Sequence, residues 1–468
     1  MTSPAPRRHR GPHIASLTSR RAAALVTGLA TVALASSACS SSGSSSTTSA
    51  SAAHPVTLVV QSGDGGSTGL LAAYAKLNSQ FEAAHPGVKI KFVVKTFNDL
   101  LSTLKLQLSG SSGVPDVTQD NQGYSSLGAL VTDGLVKNLD PIAAANDWSA
   151  RQPGGLLALD GKFSTDGKIM GSGSVWGISA TGTWVGLFEN TVVAKKLGIS
   201  SAPTTLAQLE QDMAIAKAHG ALPMMMGTSD GFEPLWTLYE ILMAQTSPQI
   251  LSTITDGMSS TLPAAMTAAA KTLQTWQNDG YFTTGESAYS NSDAFSKFVG
   301  GQGLFVVSGS WNVPLPGPAS STARFRMILF PMQRANQLAA VSSGDLPWSI
   351  PTHSPHAQLA AEYINYITSP AANSAWIAAG QVPASLSANE LQDATSSNLS
   401  GSSHDAVTAW VDLLQHGSME PYIDWSTPTF LTTMVQSVQS LLGGKKTPSA
   451  FTSALQADYG PFVQQRHG

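Results

Sequence analysis

Val56–Gln61 reads VTLVVQ and runs directly into Ser62-Gly63-Asp64-Gly65-Gly66. An apolar, β-branched run that stops at a Gly-rich turn is a buried strand followed by a tight connection. From Ser67 or Thr68 the periodicity changes. Leu70, Tyr74, Leu77 and Phe81 stand at i, i+4, i+7 and i+11, one face of a helix that stops at Pro86-Gly87. Val88–Val94 (VKIKFVV) alternates as a second strand, and a second helix is expected over Phe97–Leu108. Val114-Pro115-Asp116-Val117 is a third, short strand. Strand, helix, strand, helix, strand implies an α/β fold with a parallel sheet covered on both faces.

The alternation continues outward. Trp176–Ala180, Trp184–Phe188, Leu222–Met226, Leu304–Val307, Phe325–Pro331 and Leu346–Pro351 read as strands. Helices are expected from Thr205, where Gln208 completes a capping box, to Gly220, and over Pro263–Asn278. The C-terminal part is helix-rich. Ser354-Pro355, Ser369-Pro370, Thr427-Pro428 and Thr447-Pro448 each place a capping residue before a helix-starting Pro, and Gly380 and Gly443 are placed to end helices. No short repeat is present. The chain reads as a two-lobed α/β body of about 200 residues per lobe.

The first 38 residues stand apart. Arg7, Arg8, Arg10, Arg20 and Arg21 precede the short apolar run Ala22–Leu34, then Ser36-Ser37-Ala38 and Cys39, the single cysteine of the chain. The run is shorter than the roughly 20 residues of a membrane-spanning helix. A basic start, an apolar core and small residues before a processing point describe a secretory signal. The segment resembles a bacterial lipobox, with Cys39 as the acylated new N-terminus, although Ser36 stands where Leu or Val is usual. A plain secretory signal with an incidental Cys is the alternative. Ser19-Arg20-Arg21 also fits a twin-arginine signal. Residues 39–53 are Ser-rich, hold no apolar side chain larger than Ala in the stretch after Cys39, and form a flexible tether.

Composition excludes several classes. Of 468 residues, 42% are hydrophobic, enough for a large core. Only 12% are charged, about half the usual share of roughly 25%. Removing residues 1–38, with five Arg and no acid, takes the formal charge from −4 to −9. That balance disfavours nucleic acid and anionic lipid surfaces as partners. One cysteine allows neither an internal disulfide nor a Cys-based zinc site. His353 and His356 flank Pro355 at a helix start and read as surface residues, so no metal and no cofactor are expected.

Six stretches in order resemble one family. Phe81-Glu82-Ala83-Ala84-His85-Pro86-Gly87-Val88-Lys89-Ile90 resembles its first helix end and second strand, and Gly113–Val117 the start of its third strand. Gly134-Leu135-Val136-Lys137-Asn138-Leu139-Asp140 resembles a G-x-(L/V)-x-x-L-D turn. Leu197-Gly198-Ile199 with Pro203-Thr204-Thr205 resembles the opening of its second lobe, with Leu206 where Trp is common. Gly300–Phe305 and Gly309-Ser310-Trp311 resemble its G-x-A-A-M-x-x-x-G-x-W segment. The family is that of the extracellular solute-binding proteins of ATP-driven importers, in the sugar-binding group (family 1) that includes the maltose-binding protein. The resemblance implies a periplasmic-binding-protein-like fold with a hinged central cleft. Lobe 1 is expected over 54–175 and about 336–420, and lobe 2 over 176–335 and about 421–468. It implies a monomer, lipid-anchored on the outer face of the cytoplasmic membrane and facing the extracellular or periplasmic space, that delivers its ligand to the permease subunits of an ABC transporter.

Sugars show hydroxyls at their edges and C–H groups on their faces, so a sugar cleft needs aromatic rings and planar polar groups. Ten Trp are present, all after residue 53. Trp184, Trp236, Trp311, Trp348 and Trp425 stand beside turn residues and are candidate ligand contacts, Trp311 first because the family's contact maps onto it. Trp148, Trp176, Trp276, Trp376 and Trp410 read as structural. Ligands bind at the C-terminal ends of strands in open α/β sheets, which adds Asp64, Asp120 and Tyr124. Gly344 lies where the family has a Gly-rich stretch near its ligand. These loops hold no Lys or Arg cluster, which disfavours phosphates and dicarboxylates. A polyol or an amino acid derivative remains an alternative ligand. The rival from another class is a secreted serine hydrolase, since Gly65-Gly66-Ser67-Thr68-Gly69 matches a nucleophile elbow. That elbow belongs after several strands, and here it follows the first.

Overall fold

The computed structural model describes residues 55–152, 155–315, 324–395, 399 and 401–467. Cys39, the export segment and the whole tether, residues 39–53, lie outside them.

The opening segment folds as its pattern dictates. β1 (Val56–Ser62) is the inner strand of a four-stranded sheet, parallel to β2 (Val88–Val94) on one side and β3 (Val117–Gln119) on the other. Leu58 and Val60 are fully buried, as expected for a strand covered on both faces. Helix α1 (Thr68–Ala84) makes the crossover. Ser67 caps it by accepting from Leu70 N, and Leu70, Tyr74, Leu77 and Phe81 form its buried face. Helix α2 (Phe97–Leu108) starts at Thr96, which accepts from Asp99 N. β3 begins at Val117, at the end of the stretch Val114–Val117 that the sequence suggested, because its pairing to β1 starts at Val60↔Val117.

A small hairpin, β4 (Lys162–Phe163) and β5 (Ser174–Val175), leads to β6 (Thr181–Asn190). All ten residues of β6 are buried. It is the spine of a six-stranded sheet. Its second half pairs antiparallel with β7 (Phe305–Gly309) and β8 (Phe325–Ile328). Its first half pairs with β9 (Ala339–Gly344) and β11 (Val382–Pro383), and β9 pairs in parallel with β12 (Ser418–Glu420). The two short strands expected over 176–188 are thus one longer strand that starts later. Leu222–Met226 makes bridges at Met224 only. β10 (Trp348–Ser349) crosses back to the first sheet and pairs antiparallel with β3.

One core packs the first sheet against α1, the helix Ala357–Ile367 and Trp376. The largest core packs the helices Phe232–Gln245, Ala265–Asn278, Phe430–Leu442 and Pro448–His467 around β6, β7 and β9. Of the return expected over about 336–420, Ala357–Ile367 joins the first core, whereas β9 and β12 hydrogen-bond in the six-stranded sheet. Trp311 packs against both cores. Among the described residues no helix is long and apolar enough to cross a membrane.

Candidate functional site

Between the two cores lies a cavity of about 430 Å³, within the range of roughly 300–1,000 Å³ typical of small-molecule sites. Its floor is made by the loops at the C-terminal ends of β1 and β3, Gly63–Ser67 and Asn121-Gln122, and by the end of β9, Ser343–Leu346. Helix Phe232–Gln245 supplies a wall, and Trp311-Asn312 and Asp424-Trp425 close the sides.

The wall is a row of rings. Trp236 meets Trp311 at 5.2 Å between ring centroids and 67°, and lies nearly parallel to Phe232 at 5.8 Å and 22°. Phe232 meets Phe97 of α2 at 5.4 Å, so the row runs from the largest core to the separate apolar cluster of Leu100, Leu104 and Leu108 under α2. Phe232, Trp236 and Tyr239 fall at i, i+4 and i+7 of one helix and so share a face. The Trp311 ring folds back over Gly309. A Cβ there would lie 1.9 Å from the ring, so only glycine fits. Ser67 donates its hydroxyl proton to the main-chain oxygen of Trp311 at 2.7 Å, tying the start of α1 to this ring.

The same cavity is lined by a set of tethered carboxyls. Asp64 Oδ2 accepts from Gln119 at 2.8 Å, Tyr74 at 3.0 Å and Ser62 at 3.1 Å. Burial pushes the Asp64 carboxyl up, against these hydrogen bonds. Asp424 Oδ1 accepts from Tyr239 at 2.8 Å, and burial raises this carboxyl to about 6. Asp345 is pushed well above its ordinary value by burial and by the neighbouring charge of Asp64. Behind the floor, Asp160 Oδ1 accepts from Gly344 N at 3.1 Å, and burial raises it to about 7. Gln122 braces this region by donating to Gly344 O at 2.9 Å and Asp345 O at 3.2 Å. Among the described residues no Lys, Arg or His lines the cavity.

Of the residues singled out by sequence, Asp64, Trp236, Trp311, Gly344 and Trp425 line the cavity. Asp120, Tyr124, Trp184 and Trp348 do not. Asp120 is fully buried and accepts from Ser349 Oγ at 2.9 Å. Tyr124 accepts from Met170 N at 3.0 Å and packs on Phe163 and Phe462. Trp184 is buried beside β6 and donates to Ala406 O at 3.0 Å. Trp348 packs edge-on against Tyr74 in the first core. The other five Trp are buried and none lines the cavity. Phe97, Phe232, Tyr239, Gln122, Asp345, Tyr422 and Asp424 line it as well. The i, i+4, i+7 spacing that Phe232 and Tyr239 share with Trp236 was a readable signal for two of these; the rest carry none in sequence.

A two-lobed α/β body with a cavity between its cores defines a binding protein of the periplasmic type. Residues 76–400 match the family described as bacterial extracellular solute-binding protein, and the chain belongs to that family. No curated protein matches the sequence. Among solved structures, a chitin oligosaccharide binding protein is similar with a TM-score of 0.71 at 19% identity, over 88% of this chain and 100% of that one. The GacH receptor of Streptomyces glaucescens GLA.O, solved unliganded and with acarbose, gives 0.69 at 17%, over 87% and 98%. Maltose-bound MalE3 of T. maritima gives 0.65 at 15%, over 86% and 98%.

Proposed function

We propose that this protein captures a sugar or oligosaccharide in the cavity and delivers it to the permease of an ABC importer, without chemistry of its own. The observation that carries the reading is the row Phe97–Phe232–Trp236–Trp311 lining one cavity with anchored carboxyls, a stacking surface together with hydroxyl acceptors. Ligand would draw the two cores together, since its contacts come from both, and the closed form would be the one the permease reads. Lipidation at Cys39 would hold a monomer at the outer membrane face, and the tether would reach roughly 20 Å. The position of Ser67 supports binding over hydrolysis: its proton goes to a carbonyl and its oxygen caps α1.

The test is a thermal-shift screen against saccharides, polyols and amino acids. A ligand at 100 times its Kd adds about 2.7 kcal/mol of stability. A saccharide hit that Trp311→Ala weakens at least about tenfold is the expected outcome. A hit from amino acids alone, or labelling of Ser67 by a serine-directed fluorophosphonate, would overturn it.

A further inference from the structure

The carboxyls of Asp64, Asp345 and Asp424 all line the cavity, and none of the ion pairs among the described residues involves them. Asp64 is 8% exposed and Asp424 7%. In each, one oxygen is held by protein donors: Asp64 Oδ2 by three, Asp424 Oδ1 by Tyr239. Each of these two side chains is thus anchored within the protein while it lines the cavity. Asp345 Oδ2 is buried without a partner. A fourth carboxyl, Asp160, stands directly behind Gly344: its Oδ2 lies 2.0 Å from where a Gly344 Cβ would be, and it too has no partner.

Sugar hydroxyls can donate to such oxygens but bring no counter-charge. Burial without a counter-charge already pushes all three carboxyls toward their neutral form, and a ligand that brings a cation would offset that cost. A protonated amine donates up to three hydrogen bonds and carries the missing charge. A uronate or a sugar phosphate would bring further negative charge to these acids and no cation to offset it.

We infer that the cavity selects a saccharide bearing a protonated amine, with Asp64 and Asp424 as its acceptors, over the neutral or acidic sugar of the same size. This rests on the saccharide reading above and narrows it.

The experiment is titration calorimetry of the full chain at neutral pH against two matched series. One is the β-1,4 glucosamine dimer, its N-acetylated form, cellobiose and cellobiouronic acid. The other is glucosamine, N-acetylglucosamine, glucose and glucuronate. In whichever series binds, the free amine should bind at least about tenfold tighter than the neutral sugar, and the acid should not bind. The amine-to-neutral ratio should collapse in Asp64→Asn and in Asp424→Asn, and added salt should weaken the amine more than the neutral sugar. Equal affinity for amine and neutral sugar, or tighter binding of the N-acetylated or acidic form, overturns the inference and leaves the sugar-binding reading standing. Binding by no saccharide overturns both. The wild-type series decides the matter should either variant fail to fold.

Discussion

At the scale of single residues, the site depends on two glycines and a set of desolvated acids. Gly344 sits where any side chain would strike Asp160 and Ser179, with its Cβ 2.0 Å from Asp160 Oδ2 and 2.4 Å from Ser179 Cβ. Gly344→Ala must displace the floor of the cavity. It should cost about 1–3 kcal/mol in urea unfolding and abolish saccharide binding by calorimetry. Asp160 makes stability pH-dependent. Burial lifts its folded-state pKa from 3.8 to about 7. Between those values the folded protein holds a proton that the unfolded chain has lost, so this group's contribution falls as pH rises and is regained on acidification. The full span is worth roughly 4 kcal/mol at 1.36 kcal/mol per pH unit. Asp160→Asn keeps the neutral shape. Its Tm, measured against wild type, should gain steadily as pH rises from about 4 to about 7; a pH-independent gap would contradict the assignment.

At the scale of elements, the long strand β6 carries the second sheet, and one ion pair secures its edge. Glu189 on β6 is fully buried and takes a two-pronged bond from Arg326 on β8, 2.5 Å from Nε and 3.0 Å from Nη2. The two residues are also register partners. Arg326→Met would strand a buried carboxylate. The loss should be about 3 kcal/mol, the low end of the range for broken buried pairs because Arg326 is 31% exposed. Chemical denaturation measures it, and a loss well below about 1 kcal/mol would show that the pair is dispensable. The helix Phe232–Gln245 does two jobs at once. One face packs the largest core through residues such as Leu238, Ile241 and Leu242, and the other lines the cavity with Phe232, Trp236 and Tyr239.

At the scale of the whole molecule, the cavity exists only where the two cores approach. Phe97 and Phe232 meet across that approach, one packed on the α2 side and the other on the larger core. An aromatic pair of this kind contributes about 0.5–1.5 kcal/mol. If it favours the closed form, Phe97→Ala should weaken ligand binding by a few-fold to about tenfold and raise the radius of gyration of the unliganded protein in small-angle scattering. Unchanged values in both measurements would show that the contact has no part in closure.

Local pattern was enough for the architecture. The run Val56–Gln61, the turn after it and the helical face Leu70–Phe81 specify a strand, a crossover and a parallel partner, because hydrophobic period and capping act over a few residues. The same reading located Asp64, Trp236, Trp311, Gly344 and Trp425 near strand ends and turns, where the cavity lies. Which Trp faces the cavity was decided by long-range pairing. The match of Trp348 to Gln119 in the first sheet, with the ring packed against Tyr74 in the core behind it, leaves Gly344–Leu346 at the floor. Both halves of β6 are covered by partners from elsewhere in the chain, and Trp184 is buried with them. Asp345 and Asp424 gain their proximity to Asp64 only when β9 and the segment after β12 return from far along the chain. Charge and ring type were therefore legible one residue at a time, whereas side-chain direction and the gathering of carboxyls came from contacts between residues hundreds of positions apart.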